Sequence, residues 1–284
     1  MILPQYVLKH NWVVDKMREV DPDIVPIASG NAGEWSEGLL KSCADHIGLI
    51  AEHFYCQEKP DLIAHTNQIA DNIRRKVEFH ERLRRKLDSL KGKDIRIAMT
   101  EWNYWYGPHV FGELGTRYFL KDALGIAKGL HEYFRHSDMV FMANYAQTVN
   151  VIGCVKTSKT AAAMETTGLA LELYRNHFGN VPVAVTGEAA PIDVSAAWTH
   201  NHRALTVGVV NPTEREQKLT MDLRGAQLRG SGRLWRIDGT DPMAYNEPGE
   251  EPNVVISEER LTDVSDELTL PPLSISLYRL RVKN

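Results

Sequence analysis

The sequence has 284 residues, 43% hydrophobic and 25% charged, with a net charge of −4 and a pI near 6.3. That length holds one large or two modest packed domains, and the composition excludes a disordered chain. No basic excess points to nucleic acid, no stretch approaches a membrane span, and "MILPQYVLKHNW" lacks the apolar core and cleavage site of a signal peptide.

Residues 5–20, "QYVLKHNWVVDKMREV", set Val7, Leu8, Trp12, Val13, Val14 and Met17 at helical spacing. "DPD" stops that helix, and "IVPIASG" follows as a short apolar strand ending in Gly30. A helix is expected near Glu37–Cys43, then the strand "HIGLIAEHFY". The segment from Asp61 to Leu90 reads as a long amphipathic helix, with Ile69, Ile73, Val77, Leu83, Leu87 and Leu90 on one stripe. Within it "NIRRKVEFHERLRRKL" interleaves both charge signs with apolar residues and reads as a solvated helix face. "KGKD" then turns the chain into the strand "IRIAMTEWN". The helix "TRYFLKDALGIAKGLHEYFRHS", the strand "MVFMANYAQTVNV" and the helix "TTGLALELYRNHFG" complete the series.

Alternating helices and near-continuous apolar strands predict a parallel sheet covered by helices. Four strands end in polar or aromatic residues: Ser29-Gly30-Asn31, Glu52 to Tyr55, Glu101-Trp102-Asn103 and Asn144 to Gln147. In a (β/α) barrel the active site lies at the C-terminal strand ends. Glu101 is the focus. It closes an apolar strand inside "TEWNYWYG"; that stretch alone reads either as an aromatic-rich strand end with a solvated Glu or as a sugar subsite, with rings for C–H faces and a carboxylate for hydroxyls. Beyond "GNVPVAV" the pattern becomes short β-rich pieces, several with period two, such as Leu205, Val207 and Val209. An antiparallel sandwich or jelly roll is expected there, with residues 1–182 as one domain and 183–284 as the other.

Other motifs carry less. Cys43, Cys56 and Cys154 form no CxxC and cannot all pair, as expected for reduced thiols in a cytoplasmic protein. The eleven histidines show no ligand spacing, so no metal is expected, and "SGNAG" lacks the patterns of a phosphate cradle.

The stretches "SGNAGEW", "AEHFY", "TEWNYWYG", "NYAQTVNVIG" and "TTGLALELYRNHFG" resemble, in that order, the α-L-arabinofuranosidases of glycoside hydrolase family 51. The resemblance covers nearly the whole chain and weakens in the β-rich tail. It implies the second half of a (β/α)8 TIM barrel, strands five to eight, followed by a C-terminal β-sandwich. It also implies a retaining exo-enzyme that needs no cofactor and releases arabinofuranosyl groups from arabinan, arabinoxylan or their oligosaccharides. By position, Glu101 matches the family's nucleophile, and Tyr55 matches a tyrosine whose hydroxyl sits near it. His53 would order that strand end, and Gln147 matches a side chain that hydrogen-bonds the sugar. Trp102, Asn103 and Trp105 would shape the sugar pocket, with Trp105 as its platform.

The resemblance also has a gap. Retaining hydrolysis takes a nucleophile and an acid/base carboxyl about 5–5.5 Å apart. The family's acid/base follows an asparagine at the end of the fourth strand, and the helix at 5–20 matches the one after that strand. The expectation is a part lacking strands one to four, and hence a homo-oligomer or a complex with a chain that supplies the missing half-barrel. "GNAGE" follows the match to the fifth strand, so Glu34 is expected at the pocket's edge; Glu34 and Glu52 are the carboxylates to examine if this chain supplies its own acid. Two other readings stand beside this one: a non-catalytic carbohydrate-binding or assembly fragment, and an endo-xylanase of the same barrel clan, against which "EHFY" and "AQTVNVIG" argue.

Overall fold

Pro4 lies in the first turn of the opening helix α1 (Leu3–Val20), where a missing N–H costs no hydrogen bond. The structure, a computed structural model, describes residues 2–107, 110, 111 and 115–283. After α1 come β1 (Ile27–Ser29), α2 (Glu34–Ser42), β2 (Leu49–Cys56), α3 (Leu62–Lys86), β3 (Arg96–Tyr104), β4 (Val110–Phe111) and β5 (Gly115–Thr116). Then follow α4 (Leu120–Arg135), β6 (Val140–Tyr145), β7 (Val155–Thr157), β8 (Ala162–Met164) and α5 (Thr166–His177). The remainder is strand: β9 (Val181–Val183), β10 (Asp193–Trp198), β11 (Ala204–Asn211), β12 (Gln217–Thr220), β13 (Gln227–Ile237), β14 (Ser257–Leu261), β15 (Glu267–Leu270) and β16 (Ser274–Lys283).

These elements gather into two compact units. The first comprises Met1–Tyr55, Asp71–Trp102 and His136–Ala146; the second comprises Cys56–Ala70, Asn103–Arg135 and Gln147–Asn284.

The first unit is built on a four-stranded sheet in the order β1-β2-β3-β6. Its β1/β2 and β3/β6 pairs are parallel, with Ala28 opposite Ile50 and Met99 opposite Ala143. Ile97, Ala98 and Met99 are fully buried in succession, as befits a parallel strand covered on both faces. Gly30 ends β1 where only glycine fits, because a Cβ there would lie 2.2 Å from the Ala51 carbonyl oxygen. From α3, Ile73, Val77, His80 and Leu83 turn inward at spacings of three and four residues. The outer side of α1 is unusual for a surface helix: Leu8 is 74% exposed, Trp12 62% and Val20 88%. Ile27 on edge strand β1 and Phe141 on edge strand β6 are also exposed, the latter under the Arg96 guanidinium.

The second unit holds a six-stranded sheet in the order β14-β13-β16-β11-β10-β9, antiparallel throughout, and a two-stranded ribbon of β12 and β15. Period-two alternation sends Leu205, Val207, Val209, Leu234, Tyr278 and Leu280 to one face, where they pack with Leu268 and Leu270 of the ribbon. Helix α4 is buried almost throughout, and its polar residues are correspondingly paired. Asp122 meets His65 Nε2 at 2.8 Å and accepts from the Tyr106 hydroxyl at 2.5 Å, while Lys121 pairs with Glu58. His131 lies 2.5 Å from both Asp193 and the Tyr174 hydroxyl. Burial lowers its basicity, so a neutral ring donating from Nδ1 and accepting at Nε2 fits these partners.

Two expectations need correction, and one strand was not anticipated. The strand expected over 139–151 stops at Tyr145; farther on the chain turns, with Asn150 and Val151 at positive φ and the Asn150 side chain accepting from the Thr157 N–H. The strand expected from "IVPIASG" is only three residues long. Strand β14, "SEERL", had no apolar alternation to reveal it; it is an exposed, charged edge strand.

Candidate active site

Alternation along β2 decides which side chains serve the fold and which face outward. Glu52 and Phe54 are buried, whereas His53 is exposed and Tyr55 half-buried. On β3, the apolar run ends and Glu101 is exposed. The Tyr55 hydroxyl donates a 2.5 Å hydrogen bond to Glu101 Oε2, joining residues 46 apart in sequence. Such a short contact to a charged acceptor is a strong, charge-assisted bond. Burial, with the adjacent Glu101, pushes the Tyr55 hydroxyl far above the ordinary tyrosine range, so it keeps its proton and acts as a donor. An exposed carboxylate oriented by a phenol can act as a nucleophile or a base.

Glu52 is different. It is fully buried, yet four groups converge on it: Lys76 Nζ donates at 2.8 Å, His80 Nε2 lies at 2.9 Å, and the Ser36 hydroxyl and Ala32 N–H each donate at 3.1 Å. Burial alone would raise its pKa. The bonds from His80 and Lys76 and the Lys76 charge outweigh that and hold it down at about 2. Buried, and with both carboxylate oxygens bonded to donors around it, Glu52 is placed as a structural carboxylate. Helix α3 is not simply a solvated face, because Lys76 and His80 turn inward one helical turn apart. Their i, i+4 spacing was the only sign in the sequence. Glu34 is exposed at the first residue of α2.

The remaining expected site residues divide by burial. Trp102 is buried edge-on to Tyr145, and its carbonyl accepts from the Ala146 N–H at 3.3 Å. In the second unit Asn103 is fully buried; its amide donates to the Tyr118 hydroxyl and the Ile152 carbonyl and accepts from the Tyr104 N–H. Both side chains thus support strand ends instead of facing outward as sugar contacts. Trp105 is 49% exposed, and its backbone is fixed by Cys56 and Gln57. The Gln147 side chain is exposed, while its backbone bonds Ile152 and Cys154. Among the described residues, no cluster of three or more His, Cys, Asp or Glu is arranged to hold a metal ion, and no helix is long and apolar enough to cross a membrane.

A role for the Tyr55 bond has a direct test. Tyr55→Phe removes one charge-assisted donor from Glu101 and is expected to lower kcat/KM of any reaction that uses this carboxylate about 10- to 100-fold, at about 1.5–3 kcal/mol for such a bond. An unchanged kcat/KM in the active assembly would show that Tyr55 does not orient Glu101.

Comparison with known proteins identifies the family. The family profile described as α-L-arabinofuranosidase C-terminal domain matches residues 100–274. The chain is 24% identical to intracellular exo-α-(1→5)-L-arabinofuranosidase 1 of Bacillus subtilis, over 93% of this chain and 60% of that protein. It is 26% identical to an intracellular exo-α-(1→5)-L-arabinofuranosidase of Streptomyces lividans, over 93% of this chain and 45% of that one. Among solved structures, α-L-arabinofuranosidase of Thermotoga maritima, in complex with arabinose, matches with a TM-score of 0.85 and 25% identity, over 99% of this chain and 62% of that one. The family 51 α-L-arabinofuranosidase of Thermotoga petrophila matches with a TM-score of 0.83 and 25% identity, over 98% and 62%. The chain therefore spans about half to three-fifths of the length of these relatives.

Proposed function

This chain belongs to the α-L-arabinofuranosidases of glycoside hydrolase family 51, matching their C-terminal part, and from that premise we propose that it carries the nucleophile of a retaining enzyme that releases α-L-arabinofuranosyl groups. The 2.5 Å bond from Tyr55 to Glu101 at the ends of β2 and β3 is the observation that carries this reading. Glu101 attacks the anomeric carbon as the bond to the leaving oxygen breaks. A second carboxyl gives that oxygen its proton, and Glu101 becomes an arabinosyl ester. The second group, now a carboxylate, takes a proton from water, which displaces Glu101 and frees the sugar. Tyr55 holds Oε2 and leaves Oε1 to attack. His53, Trp105 and Gln147 are assigned as sugar contacts, and Trp102 and Asn103 as their supports. The substrates are oligosaccharides or polysaccharides with terminal arabinofuranosyl groups.

Residues 1–182 are read as strands five to eight of a (β/α)8 barrel, and 183–284 as its β-sandwich. With Glu52 placed as a structural carboxylate, the acid/base carboxyl is assigned to strands that complete the sheet beyond edges β1 and β6. They can come from more of the same polypeptide or from another chain. The exposed Leu8, Trp12 and Val20 on α1 support an assembly that covers this apolar face. Residues 1–284 by themselves are therefore expected to self-associate. They should turn over an activated aryl arabinofuranoside, whose leaving group needs little acid help, but release arabinose from arabinan about 10²- to 10⁴-fold more slowly than a complete enzyme. Gel filtration with light scattering, and both assays on the same fractions, test this. A monomer hydrolysing arabinan at an ordinary enzyme rate of about 10 s⁻¹ would overturn it.

A further inference from the structure

The antiparallel sheet of the second unit carries a group of arginines that the proposed chemistry does not use. Arg260 of β14 stands directly opposite Arg233 of β13, which stands directly opposite Arg279 of β16. Neighbouring strands lie about 4.8 Å apart, so three cations share one row on one face. Like charges directly opposite one another destabilise a sheet. Arg203, Arg229 and Arg281 extend the group, and the six exposed side chains line an open concavity of about 1050 Å³. Glu258 pairs with Arg233 at 2.6 Å; among the described residues no acid pairs with the other five. All this sits in a chain whose net charge is −4.

Six arginines that share one paired carboxylate leave this face with an excess of positive charge, which an anionic ligand would offset. Guanidinium groups take planar carboxylates in bidentate fashion. Arginines about 4.8 Å apart across strands and about 6.8 Å apart along one strand suit a ligand that repeats its charge at sugar-residue intervals. No aromatic side chain lines the concavity, so the stacking platforms that hold single-stranded nucleic acid are missing. We propose that this face binds a carboxylate-bearing glycan, a run of uronosyl residues. This rests on the arabinosidase reading for its choice of a carbohydrate: a polymer bearing both arabinosyl and uronosyl groups would offer neutral ends to Glu101 and charged ones to the arginines.

The test is calorimetric titration of the whole chain with hexagalacturonate, its methyl ester, neutral arabinohexaose and an oligothymidylate of equal charge. Hexagalacturonate should bind, more weakly as salt rises. The ester and the arabinohexaose should show no binding that depends on these arginines. The triple variant Arg260→Gln, Arg279→Gln, Arg281→Gln should bind hexagalacturonate about tenfold more weakly or worse. Because it relieves repulsion at exposed positions, its thermal midpoint should equal or exceed that of the parent. No binding of hexagalacturonate, equal binding by the triple variant or by the ester, or tighter binding of the oligothymidylate would each overturn the proposal. The two readings separate cleanly: Glu101→Gln should leave hexagalacturonate binding intact, and the triple variant should leave turnover of the aryl arabinofuranoside intact. Loss of the arabinosidase reading with uronide binding preserved would remove the former alone.

Discussion

Glu101→Gln should lower turnover of an activated aryl arabinofuranoside by a factor of about 10³ or more in whichever assembly is active. The amide matches the carboxylate in shape but cannot form the glycosyl ester. Its oxygen can still accept from the Tyr55 hydroxyl, so the local geometry should survive. Glu101 is exposed and the amide keeps a neutral version of the Tyr55 bond, so stability should fall by no more than about 1 kcal/mol. That combination, chemistry lost and fold kept, distinguishes a nucleophile from a structural carboxylate. Turnover within about tenfold of the parent would remove Glu101 from the mechanism.

The opposite combination is expected one strand away. Glu52→Gln should destabilise the first unit by about 3 kcal/mol at neutral pH, because it leaves the Lys76 charge without its buried counter-ion. The sign with pH follows from the depressed pKa. Held at about 2, the Glu52 carboxyl contributes its full stabilisation above the ordinary carboxylate range, and that contribution is lost as pH falls from about 4.5 toward 2. Parent and variant should thus converge on acidification. Urea unfolding from pH 7 down to pH 3 measures the gap, and a gap that stays constant would show that Glu52 stabilises through shape and not through charge.

These two glutamates illustrate what can be read from the chain alone. Both end apolar runs and look alike in sequence. Alternation along β2 would place Tyr55 and His53 on one side and Glu52 on the other, but only if the strand is straight and its register known. The partners that make Glu52 structural lie 24 and 28 residues away on α3, inside a stretch whose mixed charges resemble a solvated surface. Glu101 and Tyr55 were legible because each sits in a motif that resembles a known family. Their contact needed the sheet order, since β2 and β3 are separated by a 25-residue helix. Trp102 and Asn103 follow Glu101 directly and share its motif, yet burial takes both inward. The alternation in "LYRLRV" places Arg279 and Arg281 on one face of β16. That Arg233 and Arg260 join them depends on a cross-strand register which no local pattern encodes, and β14 itself carries no apolar signal.

The central claim, that this chain supplies the nucleophile and Glu101 is that group, is tested most directly by covalent trapping. The chain is incubated with a fluoro-substituted arabinofuranoside bearing a dinitrophenolate leaving group, which departs without acid help, and its peptides are mapped by mass spectrometry. The account predicts a single fluoroarabinosyl ester on Glu101 in the peptide that begins at Ile97, absent from the Glu101→Gln variant. A label on any other carboxylate, or a Glu101→Gln variant labelled as readily as the parent, would contradict it.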